Sequence, residues 1–406
     1  MNLSYFISRR LAFHSGSSFS RFVIRVAMVA VALSVAVMII AGAIVNGFQK
    51  EISEKVFGFW GHIAIRSYEQ SSDYGEEAVS MNQPFYPSLE KMPGVRHIQV
   101  FATKAGIMKT DSEIEGIVLR GIGRDFDWSF LKKYIVDGSI FQAGDSVSKS
   151  KIIISEPTAD RLKLKVGDHV LVYFIQQPMR YRKLEVTGIY RTGLDEYDRL
   201  YALVDIGLIQ RLNNWGADQV GGFEVYINDV NQLDEIGRTV NHDFIGEKLQ
   251  AKTMKQINPN LFDWLDLQNM NERVIIILMI IVAVINMSTV LLILILERTN
   301  MIGTLKSLGG SNWMIRKIFL YHAMYITGFG LLLGNVIGIG VSLAQKYFHI
   351  ITLDESSYYV SMAPVLLQPA YIIAVNIGTL LVCLITLMVP SFLVSRISPV
   401  KALRFE

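Results

Sequence analysis

Four long apolar runs divide the chain, at 26–48, 274–296, 318–344 and 371–395, and none contains Asp, Glu, Lys or Arg. Each exceeds the roughly 20 residues that a helix needs to cross about 30 Å of hydrocarbon. Between the first two runs the pattern changes. Short β-rich stretches at 62–65, 95–102, 114–120, 152–154, 170–174, 183–190, 201–204 and 223–227 alternate with helical stretches at 84–91, 156–162, 205–212 and 230–243. Turn signals such as Pro93-Gly94, Gly144-Asp145 and Gly167-Asp168 separate them. The expected fold is an α-helical membrane protein with four transmembrane helices and a large α+β extracytoplasmic domain, 49–273, inserted between helices 1 and 2. Within that domain the pattern predicts a base from 49–149 and 214–260 and a middle subdomain at about 150–213. The polar stretch 70–75 reads as an exposed loop. Residues 261–270 read as a helix feeding directly into the second span.

Charge gives the orientation. Arg9, Arg10, Arg21 and Arg25 stand without an acid in segment 1–25, ahead of the first span. Segment 297–317 carries Arg298, Lys306, Arg316 and Lys317 against Glu297, and segment 396–406 carries Arg396, Lys401 and Arg404 against Glu406. Link 345–370 has Lys346 against Asp354 and Glu355. Basic segments stay in the cytoplasm, so both termini and 297–317 are expected inside, and 49–273 and the 345–370 link outside. The first span reads as a retained signal anchor. Leu3, Phe6, Ile7 and Leu11 fall at helical spacing beside Arg9 and Arg10, which fits either a helix on the inner surface or a plain charged leader. The composition, 51% hydrophobic and 18% charged, agrees with a membrane class. The single cysteine, Cys383, excludes an intrachain disulfide.

The turn between the second and third spans draws attention. Met301, Leu305 and Leu308 lie at i, i+4, i+7, a one-sided apolar stripe. Gly309-Gly310 suits a helix end, and Ser311 or Asn312 suits the cap of the next helix. Such a stripe needs something to pack on: a groove on a partner ATPase, the membrane surface, or the N-terminal helix. In the third span Gly330, Gly334 and Gly338 repeat at i, i+4, i+8 and predict a close helix contact without naming its partner. Ala32, Ala36 and Ala43 are a weaker version in the first span, open to a dimer contact. Asn286 reads as an interhelical hydrogen bond before a substrate contact.

Catalytic patterns are missing from the sequence. It has no Gly-Lys dipeptide, hence no Walker-type phosphate loop, and no H-E-x-x-H or G-x-S-x-G. The seven histidines are scattered, and Asp195, Glu196 and Asp198 read as a solvated loop. Spans without charged groups do not suit ion-coupled transport.

Several stretches resemble a known family. They are Arg21-Phe22 entering a span that ends Asn46-Gly47-Phe48-Gln49-Lys50-Glu51, then Gly61-His62-Ile63; Ile154-Ser155-Glu156 with 162–168; Glu297-Arg298-Thr299 through 303–309; and Pro390 followed by 396–404. In this order they are similar to LolC/LolE-type membrane subunits of the lipoprotein-releasing ABC transporter, within the FtsX/MacB-like permeases. The resemblance implies a non-catalytic subunit in a bacterial inner membrane that binds no cofactor itself, with ATP and Mg on a LolD-like ATPase. It implies a second permease subunit (an identical one or a LolC/LolE-like pair), lipoprotein cargo, membrane lipids and a periplasmic LolA-like carrier as partners, and no nucleic acid. It assigns ATPase coupling to Glu297, Arg298, Met301, Thr304, Leu305, Lys306, Leu308 and Gly309. An acyl-chain cavity falls to Asn46, Phe48, Met270, Val274 and Ile277. The hairpin 174–182, with Gln176, Gln177, Pro178, Met179, Arg180 and Arg182, matches the family's carrier-recruiting hook but is shorter, so an ordinary β-turn stands beside that reading. Other family activities, MacB-like efflux or FtsX-like regulation of a cell-wall hydrolase, share this architecture.

Overall fold

A computed structural model describes residues 5–8, 18–68, 77–111, 113–145 and 147–396. Leu3, Arg9, Arg10 and Leu11, the 70–75 loop and the family-like C-terminal stretch from Ile397 lie outside the described residues. The chain forms two compact units: Met1–Gln49, Trp264–Thr352 and Ala363–Glu406 make one, and Lys50–Asp263 with Leu353–Met362 the other.

The first unit is built on four helices long and apolar enough to cross a membrane: Ser18–Trp60, Pro259–Glu297, Asn312–Phe348 and Pro369–Ser391. The first continues past its apolar run because Ile52, Val56 and Phe59 keep helical spacing and are buried. The second starts at Pro259, so 261–270 joins the span without a break.

The glycine stripe finds its partner in the first span. A Cβ on Gly330 would stand 2.8 Å from Val31, one on Gly334 2.7 Å from the Ala32 carbonyl oxygen, and one on Gly338 3.1 Å from the Ala36 Cα. Ala32 and Ala36 are thus used inside the chain, not held for a dimer. The third and fourth spans exchange side-chain amides, Asn335 Nδ2 to Asn376 Oδ1 at 2.6 Å and Asn376 Nδ2 to Asn335 Oδ1 at 2.9 Å. Tyr371 donates to the Met38 carbonyl at 3.0 Å and ties the fourth span to the first. The Asn286 side chain, expected to bond between helices, makes no hydrogen bond among the described residues; the amide pair sits at Asn335 and Asn376.

The second unit is a mixed sheet. Its strands are β1 (Ile63–Ser67), β2 (Val79–Ser80), β3 (Val95–Lys109), β4 (Ile114–Ile122), β5 (Ile135–Gly138) and β6 (Lys151–Ser155). They continue with β7 (His169–Phe174), β8 (Arg180–Tyr190), β9 (Tyr201–Asp205), β10 (Gln219–Val220), β11 (Gly222–Ile227) and β12 (Leu249–Thr253). The main order is β12-β1-β11-β3-β4-β9-β6-β8-β5, with β7 on β3 and β8, and β2 and β10 pair separately. The base and middle expected from the sequence are not separated by a break in the sheet. β3 is 15 residues long and pairs with β11, β4 and β7 in turn. β5, from the expected base, pairs with β8 of the expected middle.

Two further differences concern charge. Residues 195–200 form a helix, and Asp198 is buried, accepting from the Thr192 hydroxyl at 2.6 Å and the Thr192 and Gly193 amides. Burial pushes its carboxyl up to about 6. The link between the third and fourth spans is not a bare connection either: Leu353–Met362 packs into this unit. Arg191 joins Glu156 at 2.9 Å to Glu355, and Lys55 donates to the Tyr359 carbonyl at 3.1 Å.

At the centre lies an ion pair, Arg120 on β4 with Glu224 on β11, 2.6 Å apart, each side chain 1% exposed. Arg120 also donates to the Phe59 carbonyl at the end of the first helix, and Gln99 on β3 donates to Glu224 at 2.8 Å. The rings of Phe59, Trp60 and Phe126 lie against the guanidinium. Burial pushes the Glu224 carboxyl up, while Arg120 and Gln99 draw it back.

Two stability outcomes follow. Gly334→Ala forces a methyl onto backbone and should cost about 1–3 kcal/mol, whereas Gly340→Ala, which meets nothing within 4 Å, should leave melting unchanged or raise it. Melting of the full chain in mild detergent, followed by tryptophan fluorescence, checks the opposite signs. Arg120→Met strands Glu224 and should cost about 3–5 kcal/mol. Adding Glu224→Gln should recover part of that loss; a double variant less stable than the single one would contradict the pairing.

Candidate functional site

In the first unit, the turn between the second and third spans is a short helix, Thr299–Ser307. Thr299 donates its hydroxyl to the Leu296 carbonyl at 2.6 Å where the direction changes. Arg298 takes the N-cap position, and Glu297 ends the span helix. Gly309 turns the chain at φ +88, and Gly310 donates its amide to the Leu305 carbonyl at 2.8 Å. Ser311 caps the next helix, accepting from the Met314 amide at 3.2 Å.

The apolar stripe divides. Met301 and Leu305 pack inward against the core of this unit, beside the fully buried Ile302. Leu308, the C-cap residue, keeps the helical bond from its amide to the Thr304 carbonyl at 3.1 Å but is 79% exposed. Lys306 is also turned inward: its Nζ donates to the carbonyls of Val394 at 2.8 Å and Ser395 at 3.4 Å. Of the expected coupling residues, Thr304, Leu308 and Gly309 face outward with Ser307, while Met301, Leu305 and Lys306 serve the chain's own packing. Trp313, 54% exposed, joins the outward face, with Lys317 5.3 Å from its ring centroid. Sequence reading passed over Trp313, although a tryptophan straight after a capped turn is a signal.

Of the five expected cavity residues, Asn46 and Phe48 lie on the first helix and Met270, Val274 and Ile277 on the second. The Asn46 amide donates to the Gly42 carbonyl of its own helix at 2.7 Å, and Phe48 meets Trp264 edge-on at 6.4 Å. Met270, Val274 and Ile277 are exposed along one face of the second helix.

In the second unit, β7 and β8 form a hairpin in which Phe174 pairs with Arg180, leaving residues 175–179 as the turn. Gln176 donates to the Leu212 carbonyl at 3.2 Å. Arg180 donates to the carbonyls of Arg211 and Leu212 and, with two nitrogens, to the Asn214 side chain at 3.1 Å. These two satisfy the end of the helix Ile206–Asn213, and Arg182 bonds the Tyr181 carbonyl. What remains outward is Gln177, Pro178 and Met179, flanked by Ile175 and Tyr181, both exposed and both missed from the sequence. No group of three or more His, Cys, Asp or Glu suited to a metal occurs among the described residues.

The comparisons with known proteins fit this geometry. The family model for the MacB-like periplasmic core domain matches residues 26–242, and that for the FtsX-like permease C-terminal region matches 273–399. The chain belongs to the FtsX/MacB-like permease family. Within it the chain is of the LolC/LolE type, a non-catalytic permease of the inner membrane with a periplasmic domain. The lipoprotein-releasing system transmembrane protein LolC of Xylella fastidiosa (strain 9a5c) is 23% identical over 96% of this chain and 95% of its own length. LolE of Haemophilus influenzae is 22% identical over 99% of each. The periplasmic region of MacB from Actinobacillus actinomycetemcomitans aligns with 50% of this permease and 95% of its own chain, at 14% identity and a TM-score of 0.35, and carries no weight in the assignment.

Proposed function

We propose that this permease is the membrane subunit of an ABC transporter that lifts lipoproteins from the outer leaflet of the inner membrane and passes them to a periplasmic carrier. The similarity to LolC and LolE over nearly the whole chain carries this reading. A separate LolD-like ATPase holds ATP and Mg. The basic segments support cytoplasmic termini and a cytoplasmic 297–317 turn, which offers Leu308 and Trp313 to a groove on that ATPase. A second permease subunit, identical or LolC/LolE-like, completes the pathway. The exposed Met270, Val274 and Ile277 face suits acyl chains, since hydrocarbon there meets no group that needs a hydrogen bond. On the periplasmic side, Ile175, Met179 and Tyr181 form an apolar tip on the 174–182 hairpin for a LolA-like carrier.

Purification in mild detergent tests the cytoplasmic contact. Removing a buried leucine contact costs about 1.5–3 kcal/mol, so Leu308→Asp with Trp313→Ala should lower the co-purifying ATPase about tenfold or more with the melting of the chain unchanged. Undiminished ATPase would place the interface elsewhere. For the hairpin, Met179→Asp with Tyr181→Ala should abolish capture of the carrier and leave ATPase binding intact. Capture at the unmodified level would leave the hairpin an ordinary turn, and an adaptor of an outer-membrane channel in place of the carrier would favour MacB-like efflux.

A further inference from the structure

The cytoplasmic turn has a weak point and a brace. Gly309 is at φ +88, and a Cβ there would meet nothing within 4 Å among the described residues, whereas Gly310 beside it packs on the Leu305 carbonyl and Met314; the turn is open at Gly309 only. A load on Leu308 and Trp313 alone would be spent bending it. Two cations flank the glycines, and both reach the inner end of the fourth span. Before the turn, Lys306 donates to the carbonyls of Val394 and Ser395. After it, Arg316 donates to the Ser395 hydroxyl and lies 3.8 Å from the centroid of the Phe392 ring. Val394 and Ser395 belong to the helical turn Leu393–Arg396, and their carbonyls both accept from the Lys306 ammonium. Lys306 and Arg316 therefore grip one anchor from both sides of the Gly309 turn.

We propose that Lys306, with Arg316, is a positioning residue of the transport cycle, bracing the Gly309 turn on the end of the fourth span so that a push on the tip moves the spans instead of bending the turn. This rests on the reading above that an ATPase docks at the tip, and it separates docking from transmission: Leu308 and Trp313 bind, Lys306 and Arg316 transmit.

The test uses the full transporter in proteoliposomes with a triacylated lipoprotein, ATP and the carrier, comparing Lys306→Met, Lys306→Arg and Arg316→Gln. In Lys306→Met, ATPase co-purification and ATP hydrolysis should stay at the unmodified level, while lipoprotein released per ATP falls about tenfold. Lys306→Arg should restore release, and Arg316→Gln should follow Lys306→Met. A brace also predicts a readout independent of the ATPase: amide hydrogen exchange of residues 307–311 should be about tenfold faster in Lys306→Met alone in detergent. Unchanged exchange, or normal release per ATP, overturns the proposal. Loss of ATPase binding in Lys306→Met overturns it in a different way, by making Lys306 a docking residue. If the unmodified chain itself retains no ATPase, the transporter reading fails, and the transmission role falls with it.

Discussion

The end of the first helix is the point on which the periplasmic unit depends. A 43-residue helix finishes at Trp60, and its last carbonyls need donors. The Phe59 carbonyl is reached by Arg120, a charge that is costly to bury unless it is paired. Glu224 supplies the pair, Gln99 supplies a further bond to Glu224, and three aromatic rings close over the guanidinium. Each polar partner comes from a different central strand, β4, β11 and β3. An apolar cluster could fill the same volume, but it would leave the carbonyl without a donor. The network therefore ties the helix end to three central strands at once.

Much of this architecture was legible in the sequence because bilayer crossing and strand alternation are local signals. The four spans and eight of the strands could be read as runs. The continuation of the first helix to Trp60 was less visible: Lys50, Glu51, Glu54 and Lys55 interrupt the hydropathy, although Ile52, Val56 and Phe59 keep the helical period. β5 and β12 are short, partly exposed strands containing Asp137 and Lys252, and they read as loop. The glycine stripe announced a close approach without saying to what, since spacing on one helix carries no information about its neighbour. The docked 353–362 link was illegible for the same reason: Glu355 meets Arg191, 164 residues away in the chain.

The site was legible in position and less so in detail. The i, i+4, i+7 stripe of Met301, Leu305 and Leu308 assumes a helix that persists to residue 308. The helical bonding does reach the Leu308 amide, yet at this last position nothing among the described residues covers the side chain, which spacing alone does not reveal. Lys306 was read as a coupling residue and Arg180 as a hairpin residue, yet Lys306 and Arg180 each donate to two carbonyls and Arg120, not singled out, to one. A basic residue near a helix end in the fold but far from it in sequence is invisible to periodicity. What survives at both the turn and the hairpin is a small apolar tip held out by polar bonds beneath it.

The contacts among the spans differ in kind, and that difference bears on how a push would spread. The first and third spans meet through glycine at backbone distance, the third and fourth through reciprocal amides, and the fourth and first through the Tyr371 hydroxyl. Such contacts have one good geometry, because displacement breaks a directional bond or drives a side chain into backbone. The 274–296 run joins the same core through Ala283, Met287, Val290, Leu291 and Leu294, whose apolar contacts are non-directional and tolerate sliding. Three spans are thus tied to one another, and the second joins them through apolar packing along 274–296 and through a hydrogen bond between Glu272 and Tyr371 of the fourth span. It is also the span whose Met270, Val274 and Ile277 face stands open.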